Sequence, residues 1–239
     1  VSWKAAFWSA FSVVFYVFIY TIWLKRRTPQ NIVIGGIAGS TPPVIGWIVA
    51  SAASIPENLN PLDLGSPVPW MLFILIFLWT PPHFWALALY RSGEYAKVGV
   101  PMMPDVKGPR RTLLESKIYC LLLLLLGAVP LFWPDSGLPD AWAVLATGIT
   151  IWYSISVWRI DPEEELDSNG RMPLAFASFM RSLGYLAWMF IAFVFIVAVP
   201  DKNVWYWAAG FGLLIPVVNR LLIGWKNSVK DKTKVLNAE

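Results

Sequence analysis

The chain alternates between long uncharged apolar stretches and short polar segments. Long stretches without Asp, Glu, Lys or Arg include residues 5–24, 28–56, 64–90, 118–134, 141–158 and 182–200. Each is about long enough to cross roughly 30 Å of hydrocarbon as a helix. The apolar residues are continuous and do not alternate with period two, which excludes an outer-membrane β-barrel. The pattern predicts an all-α, polytopic transmembrane helical bundle of about seven helices, near residues 5–24, 32–53, 70–90, 113–133, 140–159, 174–199 and 204–224.

The basic residues between these spans indicate how the bundle is oriented. When the loops are assigned alternately to two sides, one side keeps only Lys4 and Lys202, and the other receives all the remaining Lys and Arg residues. This asymmetry follows the positive-inside rule, so the basic side is predicted to be cytoplasmic. We therefore expect one transmembrane domain over residues 1–225 and a basic cytoplasmic tail over residues 226–239.

The composition excludes several classes of protein. Hydrophobic residues make up 57% of the chain and charged residues 14%, against about 25% charged in soluble domains. A soluble enzyme and a nucleic-acid binder are therefore excluded, and the lipid bilayer is the expected partner. Cys120, the one cysteine of the sequence, lies in an apolar stretch, which excludes a disulfide scaffold.

Two polar segments on the basic side could carry chemistry. In the first, Lys25 and Arg26 precede Asn31, which opens the next predicted helix. These residues are either topology signals only or an anion site, in which their charges act together with the free N–H groups of a helix N-terminus. Further along this helix, Pro42 and Pro43 are predicted to break or kink it.

The second segment covers residues 80–111. Pro81 and Pro82 are expected to disturb the end of the third span, and His83, the one histidine of the sequence, follows at the membrane edge. That histidine is either a structural residue or a proton carrier, because imidazole titrates near neutral pH. The loop beyond it offers two carboxylates for Mg²⁺, Glu94 and Asp105, together with the cations Lys97, Arg110 and Arg111. A separate acidic run, residues 161–167, is interpreted as a solvated loop.

Three ordered strings resemble a known family. They are LKRRTPQNIVIGGIAG (residues 24–39), LWTPPHFWALA (78–88) and EYAKVGVPMMP (94–104), and the resemblance around them extends over most of residues 20–115. They resemble the protohaem IX farnesyltransferases (haem O synthases), which are UbiA-type intramembrane prenyltransferases. The similarity continues only loosely around residues 171–195.

The resemblance implies an enzyme that transfers the farnesyl group of farnesyl diphosphate to a vinyl group of haem B, giving haem O for terminal oxidases. It implies Mg²⁺ as cofactor, a bacterial inner membrane with the catalytic loops and C-terminus in the cytoplasm, and haem A synthase or terminal-oxidase assembly as partner. The family's Asp-rich motif is expected in an N-terminal part before residue 1. On that expectation the first span here matches the fourth family helix, and the span at 204–224 is an extra one.

The resemblance also assigns roles to the residues of the two segments. Glu94 stands where the family usually has Asp and would bind Mg²⁺, and His83 would contact haem or activate water. Tyr95, Trp79 or Trp85 would shield the farnesyl cation with their ring faces. Contacts with the diphosphate are expected from a set of polar and basic side chains, namely Lys25, Arg26, Asn31, Lys97, Arg110 and Arg111.

Three alternatives stay open at this point. The first is a UbiA-type prenyltransferase with an aromatic or quinone-precursor acceptor. The second is a transporter, suggested by broken helices with polar ends, although none of the spans carries a carboxylate near its middle. The third is a catalytically inactive fragment.

Overall fold

The computed structural model describes residues 2–56 and 58–199, and in addition the single residues 203, 210 and 212. Nearly all of the predicted seventh span (204–224) and the whole tail (226–239) lie outside these residues. The helices are α1 Trp3–Val14, α2 Asn31–Gly39, α3 Pro42–Ala50, α4 Val68–Tyr90, α5 Glu94–Lys97, α6 Met103–Phe132, α7 Asp140–Trp158 and α8 Pro173–Ala198. A π-helical segment, Phe15–Leu24, continues α1. Within the described part of the chain there is no β-strand.

The described helices include six that are long and apolar enough to cross a membrane: Trp3–Leu24, Asn31–Ala50, Val68–Tyr90, Met103–Phe132, Asp140–Trp158 and Pro173–Ala198. They confirm the first six predicted spans and the all-α membrane fold. The fourth begins earlier than predicted because α6 includes a short stretch before Gly108. At Gly108 the backbone has a φ of 80°, and the helix bends there.

The main core lies between α4, α6, α7 and α8. Its most buried large side chains include Leu75, Leu123, Trp142, Tyr153, Tyr185 and Met189. Gly127 lets α6 approach α7 closely, because a Cβ atom built there would lie 3.5 Å from the backbone of Ala146. A smaller cluster that includes Trp8, Val44 and Ile48 joins α1 to α3. The bundle thus has a packed half (α4, α6, α7, α8) and a looser half (α1–α3).

The second span is broken between α2 and α3, as predicted from Pro42 and Pro43. Neither proline has an N–H group to donate to the preceding turn, so carbonyl groups at the end of α2 need other donors. The hydroxyl groups of Thr41 (2.8 Å) and of Ser12 on α1 (3.1 Å) both donate to the Ala38 carbonyl oxygen. The Ala38 carbonyl, which an N–H group at position 42 would otherwise reach, thus receives these side-chain donors in addition to the backbone N–H of Thr41 (3.3 Å).

The prediction that Pro81 and Pro82 disturb the end of the third span was wrong. Helix α4 runs through both prolines to Tyr90, and Trp85 beyond them is fully buried. Prolines are tolerated in a membrane helix where neighbouring helices surround the altered backbone, and α4 packs against both α6 and α8. His83 therefore lies inside the helix, about two turns before its end.

The loop at the opposite end from the basic segments, residues 51–67, is fixed by side-chain donors. Lys4, with 1% of its surface exposed, donates through Nζ to the carbonyl oxygens of Pro56 (2.9 Å) and Asp63 (2.5 Å) and to Oδ1 of Asn58 (3.2 Å). Asn58 in turn donates to the Asp63 carboxylate, which lowers the pKa of Asp63. Three indole N–H groups, those of Trp8, Trp47 and Trp70, also donate to backbone carbonyls of this loop.

We expect Lys4→Met to lower the free energy of unfolding by about 2 kcal/mol or more, because buried acceptors would lose a charged donor. Thermal unfolding of the protein in detergent would measure this. Lys107→Met is the matched control, since Lys107 is exposed. Equal melting temperatures for the two variants would show that Lys4 does not hold the loop.

Candidate functional site

Three polar segments meet at the basic end of the bundle. The side-chain Nδ2 of Asn31 donates to the Thr28 carbonyl (2.7 Å) and to the Pro101 carbonyl (3.1 Å), which links the two segments singled out from the sequence. Gln30 also donates to Glu115 on α6 (3.1 Å). A third segment, residues 159–172, joins them through Arg171, as described below.

Asn31 is fully buried, and its amide donors are both used by backbone carbonyls. Its Oδ1 atom is also buried and has no hydrogen-bond partner among the described residues. The polar atom that Asn31 still offers is therefore an acceptor. Asn31 stays a predicted diphosphate contact, and this geometry requires a cation or a water between Oδ1 and a phosphate oxygen.

Glu94 lies between two arginines. Its Oε2 is 2.9 Å from Nε of Arg91, and its Oε1 is 2.9 Å from Nη2 of Arg171. Arg171 also donates to the hydroxyl of Tyr90 (3.3 Å), and its guanidinium lies 5.1 Å from the centre of the Tyr90 ring. The hydrogen bond to Tyr90 and the charge of Glu94 raise the pKa of Arg171 above its ordinary value.

The turn at residues 167–171 sets the position of Arg171. Oδ1 of Asp167 accepts from the backbone N–H groups of Asn169 (2.8 Å) and Arg171 (3.0 Å), and Gly170 adopts a φ of 72°. The acidic run 161–167 is mostly exposed, as predicted. Within it, the Asp167 carboxylate holds the turn that positions Arg171. Sequence reasoning missed Arg171 because it lies 77 residues from Glu94 and no local spacing connects them.

The predicted diphosphate-binding cations fall into two groups. Arg110 pairs with Glu163, and Nε of Arg111 is 2.8 Å from Oε1 of Glu115. The side chains of a second group make no hydrogen bond or ion pair with other described residues, and this group consists of Lys25, Arg26 and Lys97. The charges of this second group are available to an anion.

Two carboxylates flank the turn that begins the short helix α5. Asp105 accepts through Oδ1 from the N–H of Gly93 (3.0 Å), the residue that precedes Glu94. Over the described ranges, no three Asp, Glu, His or Cys side chains cluster closely enough to hold a metal ion by themselves. Mg²⁺ bound with phosphates commonly takes only one or two protein carboxylates, and the candidates for that role at this turn are Glu94 and Asp105.

An apolar cavity of about 630 Å³ lies between α1, the π-helical segment, α2 and α4. It extends from Tyr20 and Ile32, close to the basic end, to Ser12 and Ile76 deeper in the bundle. Its other lining residues are Val13, Tyr16, Val17, Gly35, Gly36, Ala38, Gly39, Trp79, Thr80 and Phe84. The shape and lining suit an elongated hydrocarbon chain whose polar end lies at the basic segments.

His83 is held in a stack of aromatic rings beside this cavity. Its ring lies 4.2 Å from that of Trp79 and 4.8 Å from that of Phe179, centre to centre, at angles of 19° and 24°. Nδ1 of His83 is 2.6 Å from the hydroxyl of Ser182. Trp79 and Phe84, which both contact His83, line the cavity, whereas His83 itself does not.

Two other predicted cation-shielding residues do not line the cavity. Trp85 is fully buried and packs against Tyr119 of α6, with ring centres 5.7 Å apart. Tyr95 packs on a cluster formed by Ile32, Ala88 and Met102. Of the three aromatic residues named for this role, Trp79 is therefore the one that faces the cavity.

These features define a class of protein, a helical membrane protein in which a basic, arginine-rich end adjoins an apolar cavity within the bundle. Residues 1–183 match the model of the UbiA prenyltransferase family. The chain belongs to the UbiA prenyltransferase family.

Several curated proteins that are similar to this chain are named protoheme IX farnesyltransferase. The chain is 39% identical to "Protoheme IX farnesyltransferase" of Parvibaculum lavamentivorans, over 90% of its own length and 61% of that protein. It is 46% identical to "Protoheme IX farnesyltransferase 1" of Mesorhizobium japonicum, over 80% and 56%. It is also 46% identical to "Protoheme IX farnesyltransferase" of a Bradyrhizobium species, over 66% and 48%. The chain thus spans about half to three fifths of these relatives, and no solved structure matches it.

We expect the pair of Arg171 and Glu94 to be coupled in the folded protein. A double-mutant cycle with Arg171→Ala and Glu94→Gln should give a measurable coupling in melting temperature that shrinks at high salt, because both side chains are more than one third exposed. The matched cycle with Arg110→Ala and Glu163→Gln should give less, since those side chains are 80% and 70% exposed. Equal coupling in the two cycles would contradict a defined Arg171–Glu94 contact.

Proposed function

We propose that the chain forms part of a prenyltransferase that moves the farnesyl group of farnesyl diphosphate to a vinyl group of haem B, giving haem O. The observation that carries the proposal is the apolar cavity, whose wall includes Tyr20, a few residues before the unpaired Lys25 and Arg26. Such a cavity suits a substrate with a long hydrocarbon chain and a diphosphate head. The names of the relatives favour haem as the acceptor over an aromatic or quinone-precursor acceptor.

The diphosphate would bind at the basic end. Lys25 and Arg26 follow directly after the π-helical segment, only a few residues beyond Tyr20 in the cavity wall. With Lys97 they supply positive charge that is not neutralised by other described residues. Positive groups fixed where a leaving group gains negative charge stabilise the transition state more than the ground state.

Glu94 and Asp105 are the residues that would hold Mg²⁺ together with the diphosphate. When bound, the ion would neutralise charge on the diphosphate as it leaves. Glu94 has both carboxylate oxygens engaged by arginines, so it would release one of them to bind a metal. Arg171 or Arg91, once released, would lie beside the diphosphate and add to its positive surroundings.

The carbon–oxygen bond of farnesyl diphosphate would break with its electron pair going to the diphosphate, which leaves an allylic cation in the cavity. Trp79 would face this cation with its ring, a contact of about 0.5–2 kcal/mol. The haem vinyl group would then attack the cation, and water would add to the new cation on the porphyrin side. Apolar walls exclude other water from the reacting carbon.

The orientation and the wider setting are part of the same proposal. The basic end faces the cytoplasm of a bacterial inner membrane, as the distribution of Lys and Arg favours. Haem A synthase or terminal-oxidase assembly would take up the product. Family membership favours group transfer over the transporter alternative.

Filling the cavity should block the farnesyl chain. Gly39 lines the cavity, and a Cβ atom placed there would meet open space, so Gly39→Leu should fold and project into the cavity. We expect kcat/KM for farnesyl diphosphate to fall about tenfold or more, as over-packing costs of 1–3 kcal/mol imply. Gly46→Leu on α3 is the matched control, since its surroundings are equally open but it lies outside the cavity wall. Equal activity of the two variants would exclude this cavity as the chain site.

Farnesyl transfer itself can be tested by mass spectrometry of haem extracted from membranes. The chain would be expressed alone and joined to the N-terminal section of the Parvibaculum relative, with Mg²⁺ and farnesyl diphosphate supplied. We expect haem O from the joined protein, and a loss of about tenfold or more in its Glu94→Gln and His83→Ala variants. Haem O from neither form would contradict the proposed acceptor, and an unchanged yield in either variant would contradict that residue's role.

A further inference from the structure

Ser182 of α8 contacts two functional candidates of α4 at once. Its backbone carbonyl accepts a hydrogen bond from the indole Nε1 of Trp79 (2.9 Å). Its hydroxyl oxygen lies 2.6 Å from Nδ1 of His83 and 2.5 Å from the backbone carbonyl oxygen of Phe179. Ser182 is fully buried, so solvent does not compete for these bonds.

The single hydroxyl hydrogen of Ser182 determines which tautomer His83 adopts. A serine hydroxyl has a single hydrogen to donate, and a carbonyl oxygen can only accept. The contact with Phe179 therefore takes the hydroxyl hydrogen of Ser182. Its oxygen is then the acceptor toward His83, so Nδ1 of His83 must carry a proton. In a neutral imidazole this leaves Nε2 with a free lone pair.

The aromatic stack keeps the imidazole in this orientation. Trp79 covers one face of the ring and Phe179 the other, and Phe84 meets it at 78°. A half-turn of the ring would place a carbon atom against the Ser182 hydroxyl and lose the hydrogen bond. Among the described residues no hydrogen bond is made to Nε2 of His83, which therefore stays available.

We propose that Ser182 is a positioning residue that holds His83 as the Nδ1–H tautomer, so that Nε2 acts as a proton acceptor beside the cavity. This inference rests on the proposed function for its reaction step. When water adds to the carbocation, its oxygen forms the new C–O bond and one O–H proton passes to the Nε2 lone pair. The resulting imidazolium carries N–H on both nitrogens, and its charge lies between two aromatic faces.

Nitrogen NMR can read the tautomer directly. The sequence contains one histidine, so protein labelled with ¹⁵N-histidine gives one pair of imidazole signals, measurable in lipid bilayers. We expect a protonated Nδ1 and an unprotonated Nε2 in the full chain. A wild-type spectrum with the proton on Nε2 would overturn the proposal, whether or not any variant folds.

Variants test whether Ser182 is the cause. Ser182→Ala should lose the Nδ1–H preference, and Ser182→Thr, which keeps the hydroxyl, should retain it. Ser178→Ala is the control, because Ser178 is equally buried one turn earlier on α8 and bonds to Ser156 (3.1 Å). A tautomer unchanged in Ser182→Ala would overturn the assignment.

Activity of the joined protein separates this inference from the proposed function. We expect Ser182→Ala to lower kcat about tenfold or more with KM for farnesyl diphosphate unchanged, and Ser182→Thr to restore it. An unchanged kcat in Ser182→Ala would overturn the positioning role. Wild-type protein with the expected tautomer but no haem O would overturn the proposed function and leave the tautomer assignment standing.

Discussion

In hydrocarbon, backbone N–H and C=O groups have no water to bond, so a membrane helix that breaks must find internal partners for the groups it frees. The break between α2 and α3 meets this requirement through hydroxyl groups, one of which comes from α1. That contact ties α1 to the broken span. The cavity is bounded by the same elements, so the geometry of the candidate site depends on how this break is satisfied.

The same requirement governs the polar side chains that lie within the packed half of the bundle. Ser182 satisfies Trp79 and His83 with its two oxygen atoms, and its own hydrogen goes to the Phe179 carbonyl. A contact that stabilises the interface of α4 and α8 therefore also sets the chemistry of the one imidazole. The same three hydrogen bonds therefore stabilise the α4–α8 interface and determine which nitrogen of His83 can accept a proton.

Much of the fold could be predicted from the sequence because membrane spans are long uninterrupted patterns. The helix break at Pro42 followed from local chemistry, whereas the helix that continues through Pro81 depends on packing by α6 and α8, which local sequence does not reveal. The resemblance assigned diphosphate contacts to residues of the first two polar segments, and the hydrogen bond from Asn31 to Pro101 joins these segments. Arg171 and Ser182 were missed, because each acts on a residue 77 or 99 positions away and neither belongs to a local motif.

Glu94 pairs with two guanidinium groups, those of Arg91 and Arg171. This arrangement affects whether a metal ion or a diphosphate would bind first. With Asp105 at the same turn, the two arginines and two carboxylates balance, and the unpaired Lys25, Arg26 and Lys97 then give this end of the bundle a net positive charge. A free divalent cation would be repelled from such a place, whereas a diphosphate, or a metal already bound to one, would be attracted. In the proposed reaction the diphosphate would thus bring the metal with it, because the cations at this end attract the anion and repel the free ion.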